Sequence, residues 1–176
     1  MQLVTPACTL RPFRPADAPA LARHADSRRV WLNLRDRFPH PYTLADAEAY
    51  VAHAGGQAPL TTFAVDVGGE AAGSVGLEVG RDIARHSAEI GYWLGEAHWG
   101  RGIMRAAVAA ATAYAFRELG LLRVFALPFA HNAASARVLE HAGYVREGTL
   151  RRSAVKHGVV LDQHLYAALR AGGAER

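Results

Sequence analysis

The sequence holds one cysteine, Cys8, and one lysine, Lys156. A single thiol excludes an intramolecular disulfide and suits a reducing compartment, so the expected location is cytoplasmic. Cys8 sits beside an early apolar segment and reads as a core thiol rather than a nucleophile. With lysine nearly absent, the positive charge is carried by arginine, whose planar fork binds two phosphate oxygens at once. The formal net charge of +4 is scattered along the chain, with no basic run and no patch interleaved with aromatics. That argues against sequence-reading nucleic-acid binding and leaves a phosphorylated small ligand or a nearby acidic RNA surface as fitting partners. No apolar run approaches the ~18 residues of a membrane span, and the first residues lack the charged start and apolar stretch of a signal peptide. There is no repeat, low-complexity tract or linker. None of the nine histidines shows metal-ligand spacing, so no metal is expected.

What is present is an ordinary globular composition, 51% hydrophobic and 20% charged over 176 residues, expected to form a single domain spanning 1–176. Residues 9–13 alternate like a first strand, ended by Pro12 and Pro15. Residues 17–25 carry helical spacing that continues toward Trp31 with a break near Arg28 and Arg29. Thr43, followed by Asp46, marks the start of a helix running to about His53. Residues 62–67 and 71–79, joined by Gly68 and Gly69, form a hairpin. A third strand is expected over residues 86–95, and the strongest helix over 101–119. That helix has a stripe of Ala107, Val108, Ala111, Ala115 and Leu119, and Gly120 stops it. A strand over 122–127, a short helix over 132–142 and a closing strand over 161–169 complete an α/β or α+β domain with one mixed sheet.

The stretch GYWLGEAHWGRGIMR, residues 91–105, carries four glycines where a strand runs into a helix. A helix start leaves backbone N–H groups unpaired and partially positive. Gly100 and Gly102 remove side chains there, so an anion can sit directly on the donors, with Arg101 and Arg105 at the rim. A nucleotide P-loop is excluded because its lysine is missing. A dinucleotide fingerprint is excluded because Arg105 stands at its third glycine, and the acidic residue about 20 positions on is absent. A phosphate cradle of another type, or glycines that only shape a tight loop, remain.

Taken in order, AEIGYWLG at 88–95, HWGRGIM at 98–104, and Asn132 with Ser135 through Ala142-Gly-Tyr144 resemble the GNAT superfamily of acetyl-CoA-dependent N-acetyltransferases. The branch most resembled is that of the ribosomal-protein-alanine acetyltransferases, and the resemblance runs from about Leu10 to Leu169. It implies a single mixed, mostly antiparallel sheet flanked by helices, with a splayed strand pair that binds acetyl-CoA. The family's loop pattern falls on Trp99, Gly102 and Met104; the central glycine is kept and the flanking positions depart from it. The implied acetyl-CoA site comprises Trp93, Leu94, Gly95, Trp99, Gly100, Arg101, Gly102, Ile103, Met104, Arg105, Asn132 and Ser135.

Transfer of an acetyl group from a thioester to an amine needs a neutral amine, a donor for the developing oxyanion, and a proton for the departing sulfur. The resemblance implies a backbone N–H near Trp93 and Leu94 for the oxyanion. Gly91 and Gly95 either ease the splay or make room for a packed helix. Glu89, on the face it shares with Gly91 and Trp93, is the candidate base acting through water, or else a substrate-orienting charge; Glu78 and His131 are further candidates. The tyrosine that many members use as acid is Leu139 here, so Ser135 is the candidate thiolate partner. Asn132 is expected to cap the helix and contact the coenzyme arm, and Tyr144 to pack in the core. Residues 31–42 are expected to cover the acceptor side. The resemblance makes the preferred acceptor a protein N-terminal amine. A small amine such as a polyamine, amino acid or antibiotic is the alternative substrate, and a non-catalytic acyl-CoA-binding module the alternative class. A monomer and a homodimer both remain open.

Overall fold

A computed structural model describes residues 1–172. Eight strands form one sheet: β1 (Leu3–Val4), β2 (Thr9–Arg11), β3 (Thr62–Val67), β4 (Glu70–Val79), β5 (Ser87–Leu94), β6 (Arg123–Ala126), β7 (Val145–Lys156) and β8 (Val159–Leu169). The helices are α1 (Ala18–Ala25), α2 (Arg28–Trp31), α3 (Leu44–Gly55), α4 (Ile103–Arg117) and α5 (Ala133–His141). Strand order is β1-β2-β3-β4-β5-β6-β8-β7, antiparallel throughout except where β5 runs parallel to β6. The single parallel step is the one bridged by α4, since parallel neighbours need a long crossover.

Local chemistry explains several boundaries. Thr43 accepts the Asp46 N–H at 3.2 Å, and the Asp46 carboxylate accepts the Thr43 N–H at 2.8 Å, a reciprocal cap that starts α3. Gly68 and Gly69 hold φ of 67° and 92° in the β3–β4 turn, the left-handed values that a tight hairpin requires. Gly120, with φ 66°, lets the Leu121 N–H turn back to the Ala115 carbonyl at 3.0 Å and stop α4.

The sheet is covered on both faces. On one, Ile90 and Leu94 of β5 pack with Ala107, Val108, Ala111 and Ala115 of α4, and with Leu139 of α5. On the other, Ala64, Ala71 and Trp93 pack with Leu21 of α1 and with Ala47 and Val51 of α3. Cys8 is buried in the first core, as expected.

Four expectations are corrected. The break after α1 falls at Asp26 and Ser27, where Ser27 Oγ caps α2 by accepting the Val30 N–H, so Arg28 and Arg29 are helical. The long helix begins at Ile103, two residues late, because Gly100 and Gly102 adopt left-handed φ and stand outside it. The closing strand starts at Val159. Strand β7 has no counterpart in the sequence reading, because its register slips between Arg146 and Gly148 and again between Leu150 and Ala154, which destroys the two-residue period.

Candidate active site

Strand β5 is paired with β4 along nearly its whole length, but with β6 only through Ser87, Ala88 and Glu89. Beyond Glu89 the two parallel strands part, as the splay expectation required. The Gly95 N–H reaches the Ala72 carbonyl at 2.9 Å, and the Leu122 N–H reaches the His86 carbonyl at 2.8 Å. Strand alternation then turns the amides of Tyr92 and Leu94 into the gap and that of Trp93 toward β4. Of the two expected oxyanion donors, Leu94 alone has its N–H on the open side. Its carbonyl accepts the Trp99 indole N–H at 2.7 Å. Trp99 therefore closes the end of the gap, and the Arg29 guanidinium lies 4.8 Å over its ring. Arg29 is itself held by Glu96 at 2.7 Å.

The loop after β5 rises to the start of α4. Gly100 and Gly102 have φ of 75° and 73°, and a Cβ built on either meets nothing within 4 Å. The left-handed backbone selects glycine by itself; the empty space in front of it is a separate fact. The first turn closes with the Ala106 N–H on the Gly102 carbonyl at 3.1 Å, leaving the amides of Ile103, Met104 and Arg105 without intrahelical acceptors. Side-chain-free backbone, outward N–H groups and the exposed Arg101 and Arg105 together fit a pyrophosphate.

Across the gap stands α5. Asn132 Oδ1 accepts the Ser135 N–H at 3.0 Å, the expected cap. The Ser135 hydroxyl lies 2.7 Å from the Tyr92 hydroxyl. Burial pushes the Tyr92 phenol well above its ordinary range. Tyr144 is buried and bonded to Thr112 Oγ1 at 2.6 Å, and Leu139 is fully buried; both belong to the core.

The opposite face of the sheet carries Glu89, Gly91 and Trp93, matched across the β4–β5 ladder by Glu78, Gly76 and Ser74. Glu78 and Glu89 stand directly opposite each other, a like-charge pair that is unfavourable unless neutralised. The neutralising charges come from the 31–42 region: Arg35 binds Glu89 Oε1 and lies 3.9 Å from Glu78, and Arg37 lies 3.5 Å from Glu78. Phe38 packs edge-on to Trp93 at 5.5 Å, and the Tyr50 hydroxyl meets Ser74 Oγ at 2.9 Å. Among the described residues no atom lies within 4 Å of a Cβ built on Gly91, whereas a Cβ on Gly95 would come within 2.6 Å of the His24 ring. The two glycines thus divide: Gly91 leaves room, and Gly95 accommodates α1.

One cleft of about 1560 Å³ joins these parts. The predicted coenzyme-site residues line it except Gly95, together with Glu89 and Glu78; so do Arg35 and Phe38 from the 31–42 region, and Tyr50 and Tyr92, which the sequence reading did not single out. Tyr92 was within reach of the alternation that placed it opposite Glu89; Arg35 falls in the region expected to cover the acceptor side, though its bond to Glu89 had no local signal, and Tyr50 arrives by tertiary packing. His131 stands outside the cleft, exposed and stacked on Phe129 at 5.8 Å. Among the described residues no three His, Cys, Asp or Glu side chains cluster to hold a metal, and no helix is long and apolar enough to cross a membrane.

Comparison with known proteins follows the same lines. The probable N-acetyltransferase YjcK of Bacillus subtilis (strain 168) is 44% identical over 86 residues, 49% of this chain and 48% of that protein. The ribosomal-protein-serine acetyltransferase of Escherichia coli (strain K12) is 34% identical over 84 residues, 47% of this chain and 46% of that one. In both cases the match spans about half the relative's length. Among solved structures, Mycobacterium smegmatis RimJ in complex with CoA-disulfide superposes with a TM-score of 0.83 at 28% identity, covering 96% of this chain and 86% of that one. The model of the acetyltransferase (GNAT) domain matches residues 8–145, well over half of the sequence, and the chain belongs to the GNAT acetyltransferase family.

Proposed function

We propose that the protein transfers the acetyl group of acetyl-CoA to a protein N-terminal amine, by direct attack with both substrates bound. The observation that carries this reading is the continuity of the cleft, from the phosphate-fitting loop at 100–105, through the β5–β6 gap, to the face of Glu89 and Gly91. Acetyl-CoA supplies the acyl group as a thioester. Residues 100–105 and Asn132 hold the coenzyme, and the Leu94 N–H donates to the carbonyl oxygen as charge develops on it. Ser135 donates to the departing sulfur. Glu89 draws the amine's proton through water at Oε2, which lies outside the Arg35 hydrogen bond.

Charge favours a protein N-terminus over a small polyamine. A free polycation needs an acidic pocket, and here Arg35 and Arg37 already neutralise Glu78 and Glu89. The name of the Escherichia coli relative, a ribosomal-protein-serine acetyltransferase, supports the same choice. Thermal unfolding with acetyl-CoA, CoA and NAD tests the cofactor. A CoA species at 100 times its Kd stabilises by about 2.7 kcal/mol, a rise of several degrees in Tm, and NAD gives none. Free thiol release is then followed with peptides beginning in Ala or Ser against a panel of polyamines, amino acids and antibiotics. No shift with either CoA species overturns the enzyme reading. A shift with turnover on small amines alone overturns the acceptor.

A further inference from the structure

The Tyr92–Ser135 contact is a hydrogen bond between two side chains that both line the cleft, at the point where β5 and β6 part. Its partners come from different elements, and each is fixed independently. Ser135 is anchored through its backbone by Asn132 Oδ1 at 3.0 Å, and Tyr92 by its place in a strand paired with Val75 of β4. A second tyrosine–hydroxyl pair, Tyr144 with Thr112, shows the contrast. There Thr112 Oγ1 also meets the Val108 carbonyl of its own helix at 2.8 Å, so the pair is closed within the core and stands off the cleft.

The Tyr92–Ser135 pair is open. The phenol is the better donor of the two hydroxyls, and the Ser135 carbonyl at 3.4 Å is its only other acceptor among the described residues. With the phenolic proton on Ser135 Oγ, the serine's own proton has no partner in the pair and is available to a group in the gap. Donation into Oγ also polarises the serine O–H, since hydrogen bonds in series strengthen one another. Burial that disfavours tyrosinate keeps Tyr92 a donor across the working pH range instead of a source of protons.

We propose that Tyr92 is a positioning residue: its hydroxyl donates to Ser135 Oγ and thereby aims the serine proton at the sulfur of the departing thiolate. The inference rests on the reading of Ser135 as the thiolate's partner. In the step it serves, the amine nitrogen forms a bond to the acyl carbon and the C–S bond breaks with its electron pair on sulfur. The amine's proton passes to Glu89 through water, and the sulfur accepts the Ser135 O–H as a hydrogen bond while the C–S bond breaks; its proton then comes from solvent, and Ser135 keeps both its own proton and the Tyr92 hydrogen bond.

Y92F, S135A and the double variant are compared by thiol release, with Tm and acetyl-CoA binding measured on each. Y92F keeps the ring and its packing. S135A is expected to lose about 10²-fold in kcat, and Y92F about tenfold with KM for acetyl-CoA unchanged. The double variant should be no slower than S135A alone. With the acetyl thioester of 4-nitrothiophenol, whose leaving group needs no proton, both single losses should shrink to within twofold. A merely structural tether would not respond to the leaving group. If S135A turns over like the parent, the reading of Ser135 is wrong and the inference falls with it. If S135A is slow while Y92F is unchanged, or if the two losses multiply, Ser135 stands and the positioning role of Tyr92 is overturned. Should Y92F unfold, the leaving-group response of S135A together with that of Y92L, which also lacks a donor, decides by the same criteria.

Discussion

Gly73 sits in the run Ala71-Ala-Gly-Ser74, where it reads as one small residue among several. In the structure a Cβ at this position would lie 2.3 Å from the Trp93 carbonyl oxygen and 2.9 Å from the Leu94 Cα. Backbone cannot yield as a flexible side chain can, so β4 and β5 can approach this closely only with glycine at 73. Gly73→Ala is expected to cost about 1–3 kcal/mol in urea unfolding. It should also lower turnover, because the strand it displaces carries the Leu94 amide. Gly91→Ala is the control in the opposite direction. Its Cβ meets nothing within 4 Å, so stability should hold to within ~0.5 kcal/mol while KM for the acceptor rises and acetyl-CoA binding stays the same. Sequence reading recognised Gly91, Gly95, Gly100 and Gly102 as meaningful but could not separate open space from packing. That distinction depends on His24 and on the absence of any atom before Gly91, facts of tertiary placement. Trp99 shows the same limit. Its departure from the family pattern was visible, whereas its bond to the Leu94 carbonyl was not.

At the scale of elements, strand β7 is the part the sequence concealed, and the tip of the hairpin it forms with β8 does more than extend the sheet. Lys156 is only 3% exposed, its ammonium lying 2.8 Å from Asp36 Oδ1 and 4.1 Å from the centre of the Trp31 ring. His157 meets the same ring edge-on at 5.5 Å, and His40 stacks on it at 5.4 Å. The 31–42 region is thus held from outside by the hairpin while its inner residues Leu34, Arg35 and Phe38 line the cleft. A single lysine cannot announce such a contact, because its partners are more than a hundred residues away in sequence. Lys156→Met keeps the aliphatic stem and removes the charge. It is expected to destabilise by about 1–2 kcal/mol through the lost cation–π and ionic contacts. If the hairpin positions this wall of the acceptor site, KM for the acceptor peptide should rise severalfold with acetyl-CoA binding unchanged. Equal losses for both substrates would mean that the hairpin does not act on the acceptor side selectively.

Across the whole molecule, fold class and the order of most elements followed from periodicity, turn glycines and the Thr43 cap, because these are local properties. The pairing of β6 with β8, and the placement of β7 at the edge, were not local and left no trace in the sequence. The same holds for the ion group that joins distant segments on the α1 side. Arg11 of β2, 2% exposed, makes two hydrogen bonds to Asp17 at 2.7 and 2.8 Å and a third to Asp66 of β3 at 2.7 Å. Burial alone would raise the Asp17 pKa, but the Arg11 hydrogen bonds, the Arg14 N–H and the two arginine charges outweigh it and hold it below the ordinary value. A carboxyl with a depressed native pKa binds its proton more readily in the unfolded chain. Its contribution is therefore complete above the unfolded value of about 3.9 and disappears as pH falls through the native one. Replacing the guanidinium reverses the sign. In Arg11→Met, burial dominates at Asp17, its native pKa rises above the unfolded value, and the group then favours folding at low pH and opposes it at high pH. Removing one partner from a buried ionic group costs about 3–5 kcal/mol at neutral pH. Urea unfolding between pH 3 and pH 7 should show parent stability falling toward acid, while the deficit of Arg11→Met is largest at pH 7 and narrows below pH 4. A deficit that stays constant over that range would mean that the arginine stabilises this region through its packing and not through its charge.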